Sequence, residues 1–386
     1  MRPGGWLAWH DARLRWRGYA GIVALLATMG GLSLFSVAGA RRTESSYPRF
    51  LRAANSSTIV ATSFGAFDPK VGAAIAATHG VVRSRTFVAF NVFALVHGTP
   101  DFSQDFESAG SVDGEYFDQD RFTATHGRQP EPNNPDEVAV NELAASRYHY
   151  RVGERLRLGT YDVDPHDPTF FIHPPAPRFI LTATIVGIGV FPDEVLQDDA
   201  DRLPRMLLTP AYTRRAKRFA TYGSQGVVLA RQAGGVADFK RAVISRLPSS
   251  AVIFKVTSVD EVHGLRAVRP VAVALGAFGV IVGIACLVLG VQAVGRVVRF
   301  QRDDRLVLRS LGASPRTIVA SAVIGPIGAL ILGAAAAVLV AVSLSPLMPV
   351  GPVNRVETRS GVDVDATVMA LGATPVVLVP ALAAFA

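Results

Sequence analysis

Four long apolar runs separate the polar parts of the chain. The runs cover residues 18–40, 270–295, 318–344 and 366–386. A helix needs about 20 apolar residues to cross the hydrocarbon core of a bilayer, and each run reaches that length. The pattern therefore predicts four membrane-spanning helices. It leaves one large polar block, residues 41–269, between the first and the second of them.

The polar block alternates between two local patterns. Runs rich in β-branched and aromatic residues predict strands over 57–64, 81–96, 137–141, 152–158, 179–191, 225–231 and 251–256, and a short strand followed by a turn around 112–117. Helical spacing of apolar residues predicts helices over 69–78, 142–148 and 236–247. We therefore predict an α+β domain that is long enough to bury its own core. Its last strand–helix–strand unit is typical of half of a ferredoxin-like fold.

Several glycines have predictable roles. Gly153 stands at the start of a predicted strand, where it permits a tight turn. Gly187 and Gly189 interrupt a β-branched run, which indicates that another backbone approaches closely there. Small residues in the second apolar run lie at helical spacing and allow close contact between helices in lipid; they are Gly276, Gly279 and Gly283. A glycine-rich helix with no dedicated partner is the alternative interpretation.

The charge distribution suits a membrane protein. Among 386 residues, 39 Lys and Arg stand against 31 Asp and Glu, a net charge of +8. Nearly all the basic residues are arginines, and many of them flank the apolar runs. We interpret this charge as setting membrane orientation and not as a nucleic-acid site. The single cysteine, Cys286, lies inside the second run, where an apolar contact is the expected role.

Residues 296–317, between the second and third runs, form a strongly basic segment. One arginine at the bilayer centre costs about 2.5–3.5 kcal/mol on insertion scales, so the segment cannot lie in the hydrocarbon. Loops this rich in arginine stay in the cytoplasm. The segment therefore predicts a cytoplasmic loop, which places the N-terminus inside the cell and residues 41–269 and 345–365 outside it. The six arginines are Arg296, Arg299, Arg302, Arg305, Arg309 and Arg316.

Residues 1–17 combine several arginines with Trp6, Trp9 and Trp16. That mixture is typical of a cytoplasmic segment at the membrane interface. The following apolar run, residues 18–40, is longer than the roughly 7–15 residues of a signal peptide's apolar region. We therefore predict an uncleaved anchor. A signal peptide cleaved after Ala40 is the alternative, because Ala38-Gly39-Ala40 fits the small-x-small cleavage pattern.

The basic loop carries a recognisable string. Residues 305–318 read RLVLRSLGASPRTI, which resembles the short cytoplasmic loop of FtsX-like, MacB-like permeases of ABC transporters. In that family the loop faces the ATPase subunit. The acidic residue usual in the family's pattern is represented only by the displaced Asp303 and Asp304. The resemblance implies an ATPase-coupling site formed by Arg302, Arg305, Leu308, Arg309, Leu311, Gly312, Ala313, Ser314 and Arg316.

The polar block adds to the resemblance. The strings VAVNELA at 138–144, VGERLRL at 152–158 and TIVGIG at 184–189 are similar, in their order, to the extracytoplasmic core domain of MacB-like permeases. Glu154 replaces the commoner Asp. Residues 41–50 resemble the segment after the anchor in actinobacterial members, although a hydrated helix extension explains them equally well. The resemblance implies a multi-pass plasma-membrane protein whose extracytoplasmic domain lies between the first two spans.

The sequence gives no support for catalysis. A phosphate-binding P-loop needs Gly-Lys, and no lysine follows a glycine in this chain, so ATP would have to be bound by a partner subunit. The strings G-x-S-x-G and H-E-x-x-H are also absent. We therefore expect no enzyme activity, metal or cofactor in this chain.

Two polar clusters of the block are interpreted as solvent-exposed loops. The first has a spacing that matches no metal-ligand signature, and it contains Asp162, Asp164, His166, Asp167 and His173. The second is an acidic run made of Asp193, Glu194, Asp198, Asp199 and Asp201.

The resemblance implies the permease subunit of an ABC transporter or mechanotransmission complex, driven by a separate ATPase subunit. Export, or lipid and lipoprotein handling, is the implied role. Membrane lipids and either a second copy or a second permease half are further implied partners, because actinobacterial relatives often contain two copies of the unit. The chain is then one half of such a permease or a complete short form. The alternative function is a membrane-anchored binding, sensor or scaffold protein that acts without an ATPase.

Overall fold

The computed structural model describes residues 16–63, 67–162, 169–195, 202–230, 235–247, 252–300, 310, 314–349 and 361–385. The chain divides into two compact units. The helical unit comprises Met1–Ser46 and Ala267–Ala386, and the sheet unit comprises Tyr47–Arg266.

The elements of the described chain are numbered in order. The helices are α1 (Trp16–Leu25), α2 (Gly31–Ala53), α3 (Pro69–Ala76), α4 (Glu142–Tyr148), α5 (Pro210–Ala216), α6 (Gly235–Arg246), α7 (Thr257–Phe300), α8 (Pro315–Leu344) and α9 (Ala366–Phe385). A π-helical turn, Leu26–Gly30, joins α1 to α2, and a 3-10 turn, Ser345–Leu347, follows α8. The strands are β1 (Ile59–Ser63), β2 (Val81–Val96), β3 (Thr99–Pro100), β4 (Glu107–Ser111), β5 (Thr123–Gly127), β6 (Glu137–Asn141), β7 (Arg155–Tyr161), β8 (Phe179–Val190), β9 (Arg205–Leu208), β10 (Ala220–Leu229) and β11 (Val252–Val256).

Four helical segments are long and apolar enough to cross a membrane. They are Trp16–Ala53, Arg269–Phe300, Ile324–Leu347 and Ala366–Ala383. Each coincides with one of the predicted apolar runs. The helices also extend beyond those runs, since α2 continues through Pro48 and α7 begins well before Pro270.

Apolar side chains from the long helices meet inside the helical unit. Leu26 of the π-helical turn, Cys286 of α7 and Leu330 of α8 are fully buried, and Val376 of α9 joins the same cluster. Side-chain contacts of this kind hold helices together in lipid, where the surrounding chains are equally apolar. The buried, apolar position of Cys286 agrees with the role expected from the sequence.

The first lobe of the sheet unit has the strand order β11-β1-β10-β2. β1 pairs antiparallel with β10 and β11, and β10 pairs antiparallel with β2. The segments β1-α3-β2 and β10-α6-β11 are therefore two split β-α-β units, which together make a ferredoxin-like sheet. Ile75 of α3 and Phe239 and Val243 of α6 share one core with Ile59 and Ala61 of β1. The predicted last unit is confirmed, and its partner is the first unit of the block.

The second lobe is a closed ring of six strands. β2 is 16 residues long and continues from the first lobe into the ring. The ring runs β2-β4-β9-β6-β8-β7, and β7 pairs with β2 again. Alternate residues of these strands fill one core, as in a small barrel; examples are Val88, Phe90, Val92, Val138, Val140, Leu156, Leu158, Leu181, Ala183, Ile185, Met206 and Leu208.

Most predicted elements of the block are confirmed, and strand Glu137–Asn141 and helix Glu142–Tyr148 have the predicted bounds. The short strand expected around 112–117 lies earlier, at Glu107–Ser111 (β4), and residues 112–117 form the turn that was expected after it. The backbone has a positive φ at Gly114 (+116°) and Tyr116 (+66°), which an extended strand does not accommodate. β3, β5, β9 and α5 were not predicted, because they are short and have no clear apolar periodicity.

The glycines of β8 confirm the predicted close approach of backbones. A Cβ atom at Gly187 would overlap the carbonyl oxygen of Arg128, and one at Gly189 would overlap that of Thr123. Gly153 differs, because open space surrounds it and its φ is +91°. Its backbone conformation alone favours glycine, as expected for a tight turn.

We predict that Gly187→Ala destabilises the chain by about 1–3 kcal/mol, because the methyl group must displace a backbone carbonyl. Gly153→Asn should cost less than about 1 kcal/mol, because Asn tolerates a positive φ better than other side chains do. Thermal unfolding of the detergent-solubilised chain, followed by circular dichroism, measures both changes. Equal losses for the two variants would contradict the steric explanation.

Candidate functional site

The predicted coupling site lies mostly outside the described residues. Arg302, Arg305, Leu308, Arg309, Leu311, Gly312 and Ala313 fall outside them. Ser314 is described and exposed, and it directly precedes α8. Arg316 belongs to the first turn of α8, and its side chain is not among those described. The structure does show that α8 begins at Pro315, a residue well suited to the first position of a helix.

The predicted small residues of α7 contact α2. The Ser33 hydroxyl donates to the carbonyl oxygen of Gly279 at 2.7 Å. A Cβ at Gly279 would lie 2.8 Å from Cγ2 of Val37, and one at Gly283 would lie 2.8 Å from Oγ of Ser33. These glycines therefore allow α7 to approach the first membrane-length helix closely, as the sequence predicted.

The π-helical turn was not predicted. It places Leu26, which is fully buried, against α8, where a Cβ at Gly333 would lie 2.8 Å from Leu26 Cδ1. At the start of α2, a Cβ at Gly31 would lie 2.7 Å from Cβ of Val340. The adjacent glycines 30 and 31 are the sequence signal for this close approach, because π-turns insert one residue into a helix and glycine tolerates the distortion.

A second unpredicted feature lies at the far end of the helical unit. Arg42 of α2 is only 7% exposed. Its Nη1 donates to the carbonyl oxygens of Ser345 and Gly361, each at 3.2 Å, and its Nε lies 3.9 Å from Asp363 Oδ2. The Ser345 hydroxyl in turn donates to the Asp363 carbonyl oxygen at 2.8 Å. We call this set of four residues the arginine clasp.

The clasp connects Arg42, which follows the apolar part of α2, with Ser345 after α8 and with Gly361 and Asp363 before α9. The neighbouring Arg41 is more exposed and pairs with Asp365 at 3.0 Å, just before α9. The interpretation of residues 41–50 as a hydrated helix extension is therefore wrong for Arg42. The predicted surface loop, residues 345–365, is anchored at the described positions on either side of residues 350–360.

The sheet unit contains a buried ionic cluster around Arg205 of β9, which is 5% exposed. Its Nη1 lies 2.9 Å from Asp193 Oδ1, and its Nε lies 2.9 Å from Glu107 Oε2. Nη2 donates to the Tyr116 hydroxyl at 3.0 Å, and the guanidinium lies 4.2 Å from the ring centroid of Phe191. Buried charges require this density of partners, because their desolvation is costly.

Glu194 completes the Arg205 cluster. It is 4% exposed and accepts a hydrogen bond from Asn141 Nδ2 at 2.9 Å. Burial raises the pKa of Glu194 to about 7, against the opposing effect of Arg205. The interpretation of the acidic run as solvated is therefore wrong for Glu194, and partly so for Asp193, whose side chain is 37% exposed but paired. Their position directly after the apolar strand β8 is the signal that was missed. Asp198, Asp199 and Asp201 lie outside the described residues.

Glu115 and Asp120 form a buried acidic pair, separate from the Arg205 cluster. Glu115 is 1% exposed, and Gly226 leaves room for its carboxylate. Asp120 Oδ1 accepts the Ser57 backbone N–H at 2.8 Å, and Oδ2 accepts the Ser57 hydroxyl. Burial, reinforced by the neighbouring Asp120 carboxylate, raises the pKa of Glu115 well above its ordinary value. Burial beside a second carboxylate therefore favours the protonated form of Glu115 relative to an exposed glutamate.

These acidic residues hold a loop against the segment that follows α2. Asn55 Nδ2 donates to the Asp118 carbonyl oxygen at 2.7 Å, and Arg121 N donates to the Ala54 carbonyl oxygen at 2.9 Å. Within the sheet unit, the loop 112–122 thus fixes residues 54–57 where the chain leaves the helix. The buried Asp120 carboxylate takes part in this attachment, because it accepts two hydrogen bonds from Ser57.

The described residues contain no group of three or more His, Cys, Asp or Glu arranged to hold a metal ion. Of the polar loop cluster identified in the sequence, Asp162 and His173 are described and exposed. The remaining members, Asp164, His166 and Asp167, lie outside the described residues.

Comparison with known proteins gives weak likenesses. No family model matches the sequence, and no curated protein matches it. The periplasmic region of MacB from Actinobacillus actinomycetemcomitans aligns with 8% identity and a TM-score of 0.34, covering 55% of this chain and 94% of that one. The extracellular domain of the noncanonic ABC-type transporter YknZ from Gram-positive bacteria aligns with 10% identity and a TM-score of 0.29, covering 51% and 98%. At such scores neither likeness carries an argument about activity.

We predict that Arg42→Ala destabilises the helical unit by about 1–3 kcal/mol, because it removes a buried guanidinium group together with its hydrogen bonds to the carbonyl oxygens of Ser345 and Gly361. Arg41→Ala is the matched control and should cost less than about 1 kcal/mol, because it breaks a partly exposed ion pair. The fraction of detergent-solubilised chain that stays monodisperse after heating, measured by size-exclusion chromatography, reports the difference. If both variants behave alike, the clasp does not stabilise the unit.

Glu115 should make stability depend on pH. The pKa of Glu115 is raised in the folded chain. Its stabilising contribution to the free energy of unfolding is therefore fully present below its unfolded pKa and is lost as pH rises toward its folded pKa. The loss is on the order of 1 kcal/mol per pH unit within that window. Glu115→Gln should therefore raise the melting temperature at pH 8 but not at pH 4.5.

The control for this titration is Glu131→Gln, because the side chain of Glu131 is 70% exposed. Its melting temperature should follow that of the unmodified chain at both pH values. A Glu115→Gln curve parallel to the unmodified one over this pH range would show that Glu115 does not titrate as described.

Proposed function

We propose that this chain is the membrane subunit of an ABC-type transporter or mechanotransmission complex of the FtsX-like, MacB-like type, coupled to a separate ATPase subunit. The observation that carries the proposal is the string L-R-x-L-G-A-S at 308–314, in the short segment between two membrane-length helices. That segment directly precedes Pro315, the first residue of α8. Basic inner loops are common in membrane proteins, whereas this string matches the loop pattern of the family it resembles.

The membrane orientation follows from the arginines. Six of them lie between residues 296 and 316, so this segment belongs to the cytoplasmic side, where an ATPase has access. The N-terminus then also lies in the cytoplasm, and residues 41–269 and 345–365 lie outside. The domain boundaries of this proposal are those stated from the sequence: residues 1–17 inside, followed by spans at 18–40, 270–295, 318–344 and 366–386.

In this proposal, the separate ATPase subunit supplies the energy by hydrolysing ATP. The chain contains no Gly-Lys pair and so no P-loop, which assigns nucleotide binding and hydrolysis to the ATPase subunit. This chain itself then acts without enzyme activity or cofactor. Leu308, Leu311 and Gly312 would supply the packed contact with the ATPase, and the surrounding arginines would meet acidic groups on its surface.

The proposed motion is mechanical. α7 begins at Thr257, directly after β11, and is one helix of 44 residues to Phe300, next to the coupling segment. A displacement of that segment by the ATPase would act on α7 along its length. Export, or lipid and lipoprotein handling, is the cellular role this arrangement would serve.

Two further partners belong to the proposal. Large apolar side chains of α7 are exposed in the isolated chain, among them Val273, Phe278, Ile281 and Ile284. Apolar surface of this kind suits contact with lipid tails or with another membrane helix. A second copy of the chain or a second permease half of actinobacterial type would provide such a helix.

We predict that Leu311→Asp and Gly312→Trp each reduce co-purification of the ATPase subunit, and its stimulated activity, at least tenfold. A buried charge or a bulky ring would disrupt the packed contact. The measurement is affinity purification from the native membrane, followed by an ATPase assay on the complex.

Ile244→Asp is the matched control, because Ile244 is exposed on α6 of the sheet unit. The proposed topology assigns this residue to the outer side of the membrane and the coupling segment to the cytoplasmic side. It should leave ATPase recovery unchanged. Unchanged coupling in both loop variants would refute the assignment and would favour the anchored binding or sensor protein.

A further inference from the structure

The sheet unit carries a concentration of positive charge on its surface. From residue 202 to residue 237, seven positions are Arg or Lys and none is Asp or Glu. Four of these cations lie within five consecutive positions, at the end of α5 and in the 3-10 turn Lys217–Phe219 that follows it. We call these four residues the basic patch; they are Arg214, Arg215, Lys217 and Arg218.

The fold turns the whole basic patch toward solvent. The Thr209 hydroxyl accepts the Tyr212 backbone N–H at 3.2 Å and caps α5. Tyr212 and Ala216 are buried in the core of the six-stranded ring, where the Tyr212 ring lies edge-on to Phe90 with centroids 5.6 Å apart. With that side of α5 fixed, all four cations are exposed. They are neighbours on the surface, because residues three and four apart in a helix lie on one side.

Aromatic rings position two of the cations without neutralising them. The Lys217 ammonium lies 5.5 Å from the ring centroid of Phe67, and the Arg218 guanidinium lies 4.6 Å from that of Phe219. Such contacts orient a cation over the ring and leave its full charge available. Side chains that are already held lose less conformational freedom when a ligand binds.

The charge of the basic patch is not balanced locally. In the part of the chain that the structure describes, no carboxylate pairs with the patch, whereas Arg128, Arg205 and Arg241 of the same unit each have one. Asp68, which follows Phe67, is exposed and accepts the Lys70 backbone N–H at 2.8 Å. Like charges at helical spacing repel, so an anion that contacts all four cations would relieve a repulsion in the free chain.

The surroundings of the patch favour a linear polyanion over a membrane surface. Elements that bind to a membrane surface combine basic residues with exposed apolar ones, which enter the headgroup region. Among residues 210–222, all of them described, no large apolar side chain is exposed. A polymer with closely spaced charges carries condensed counterions, and their release on contact with several cations favours binding.

The patch also favours phosphate groups without bases. Three of its four cations are arginines, whose guanidinium groups bind a phosphate through two parallel N–H donors. Proteins that bind single-stranded nucleic acid add free aromatic faces on which bases stack. Here Phe67 and Phe219 are half-buried and each already lies against a cation of the patch.

We propose that the basic patch is a docking surface for a linear polyanion that carries phosphate groups and no bases. The four cations contact successive phosphate groups of the polymer. This surface is independent of the ATPase-coupling function proposed above, since every residue it uses belongs to the sheet unit.

The test measures binding of long-chain inorganic polyphosphate to the full chain in phosphatidylcholine nanodiscs, by microscale thermophoresis at several salt concentrations. The combined variant Arg214→Gln, Arg215→Gln, Lys217→Gln and Arg218→Gln should bind at least tenfold more weakly than the unmodified chain. The slope of the logarithm of its binding constant against the logarithm of salt concentration should fall in magnitude by about 2–3, at roughly 0.7 per removed charge.

The matched control removes the same net charge elsewhere on the sheet unit, by replacing four other exposed arginines with Gln; they are Arg147, Arg151, Arg155 and Arg157. Its affinity for polyphosphate should stay within twofold of the unmodified value. Circular dichroism melting confirms that each variant is folded. An equal loss in the control, unchanged affinity in the folded patch variant, or no saturable binding of polyphosphate would each overturn the proposal. At equal phosphate concentration, tighter binding of oligodeoxythymidine or of phosphatidylglycerol vesicles would also overturn it.

Discussion

Removing a charged group from water is costly, and this constraint shapes both units of the protein. Four runs of the chain are nearly free of charge and form the membrane-length helices. The arginines are concentrated outside them, above all between residues 296 and 316. Where an arginine is nevertheless buried, as at Arg42 and Arg205, carbonyl oxygens or carboxylates surround it. The position of each charge is therefore tied to the partners that compensate its lost hydration.

The membrane-length helices of the helical unit contain few charges, and small residues provide the contacts between them. In lipid there is little hydrophobic gain from helix association, so contact between helices must come from close approach. Gly279 and Gly283 bring α7 onto Ser33 of α2, and Gly333 brings α8 onto Leu26. The arginine clasp then adds polar contacts at one end of the same helices. The helices of this unit are thus held together by apolar contacts along their length and by polar contacts at one end.

The sheet unit is organised by one long strand. β2 is the edge of a ferredoxin-like sheet over its first part and closes a six-stranded ring over its second. Buried acids attach the loop 112–122 to residues 54–57, and the Arg205 cluster joins β9 to the chain that follows β8. The double pairing of this strand therefore holds the two lobes of the sheet unit together.

Local sequence by itself determined the four apolar helices, the α+β character of the block, most of its strands, and the roles of Gly153, Gly187 and Gly279. These features depend on periodicity, length and the conformational freedom of glycine, which are written in neighbouring residues. The string at 308–314 is the basis on which we propose a coupling segment, and it lies mainly outside the described residues. Only the tertiary structure decided that β7 returns to β2, that Arg42, Glu115 and Glu194 are buried, and that all four cations of the basic patch are exposed. Burial and partner choice depend on residues far apart in the chain, so an isolated charge in the sequence looks solvated until the fold supplies the groups that surround it.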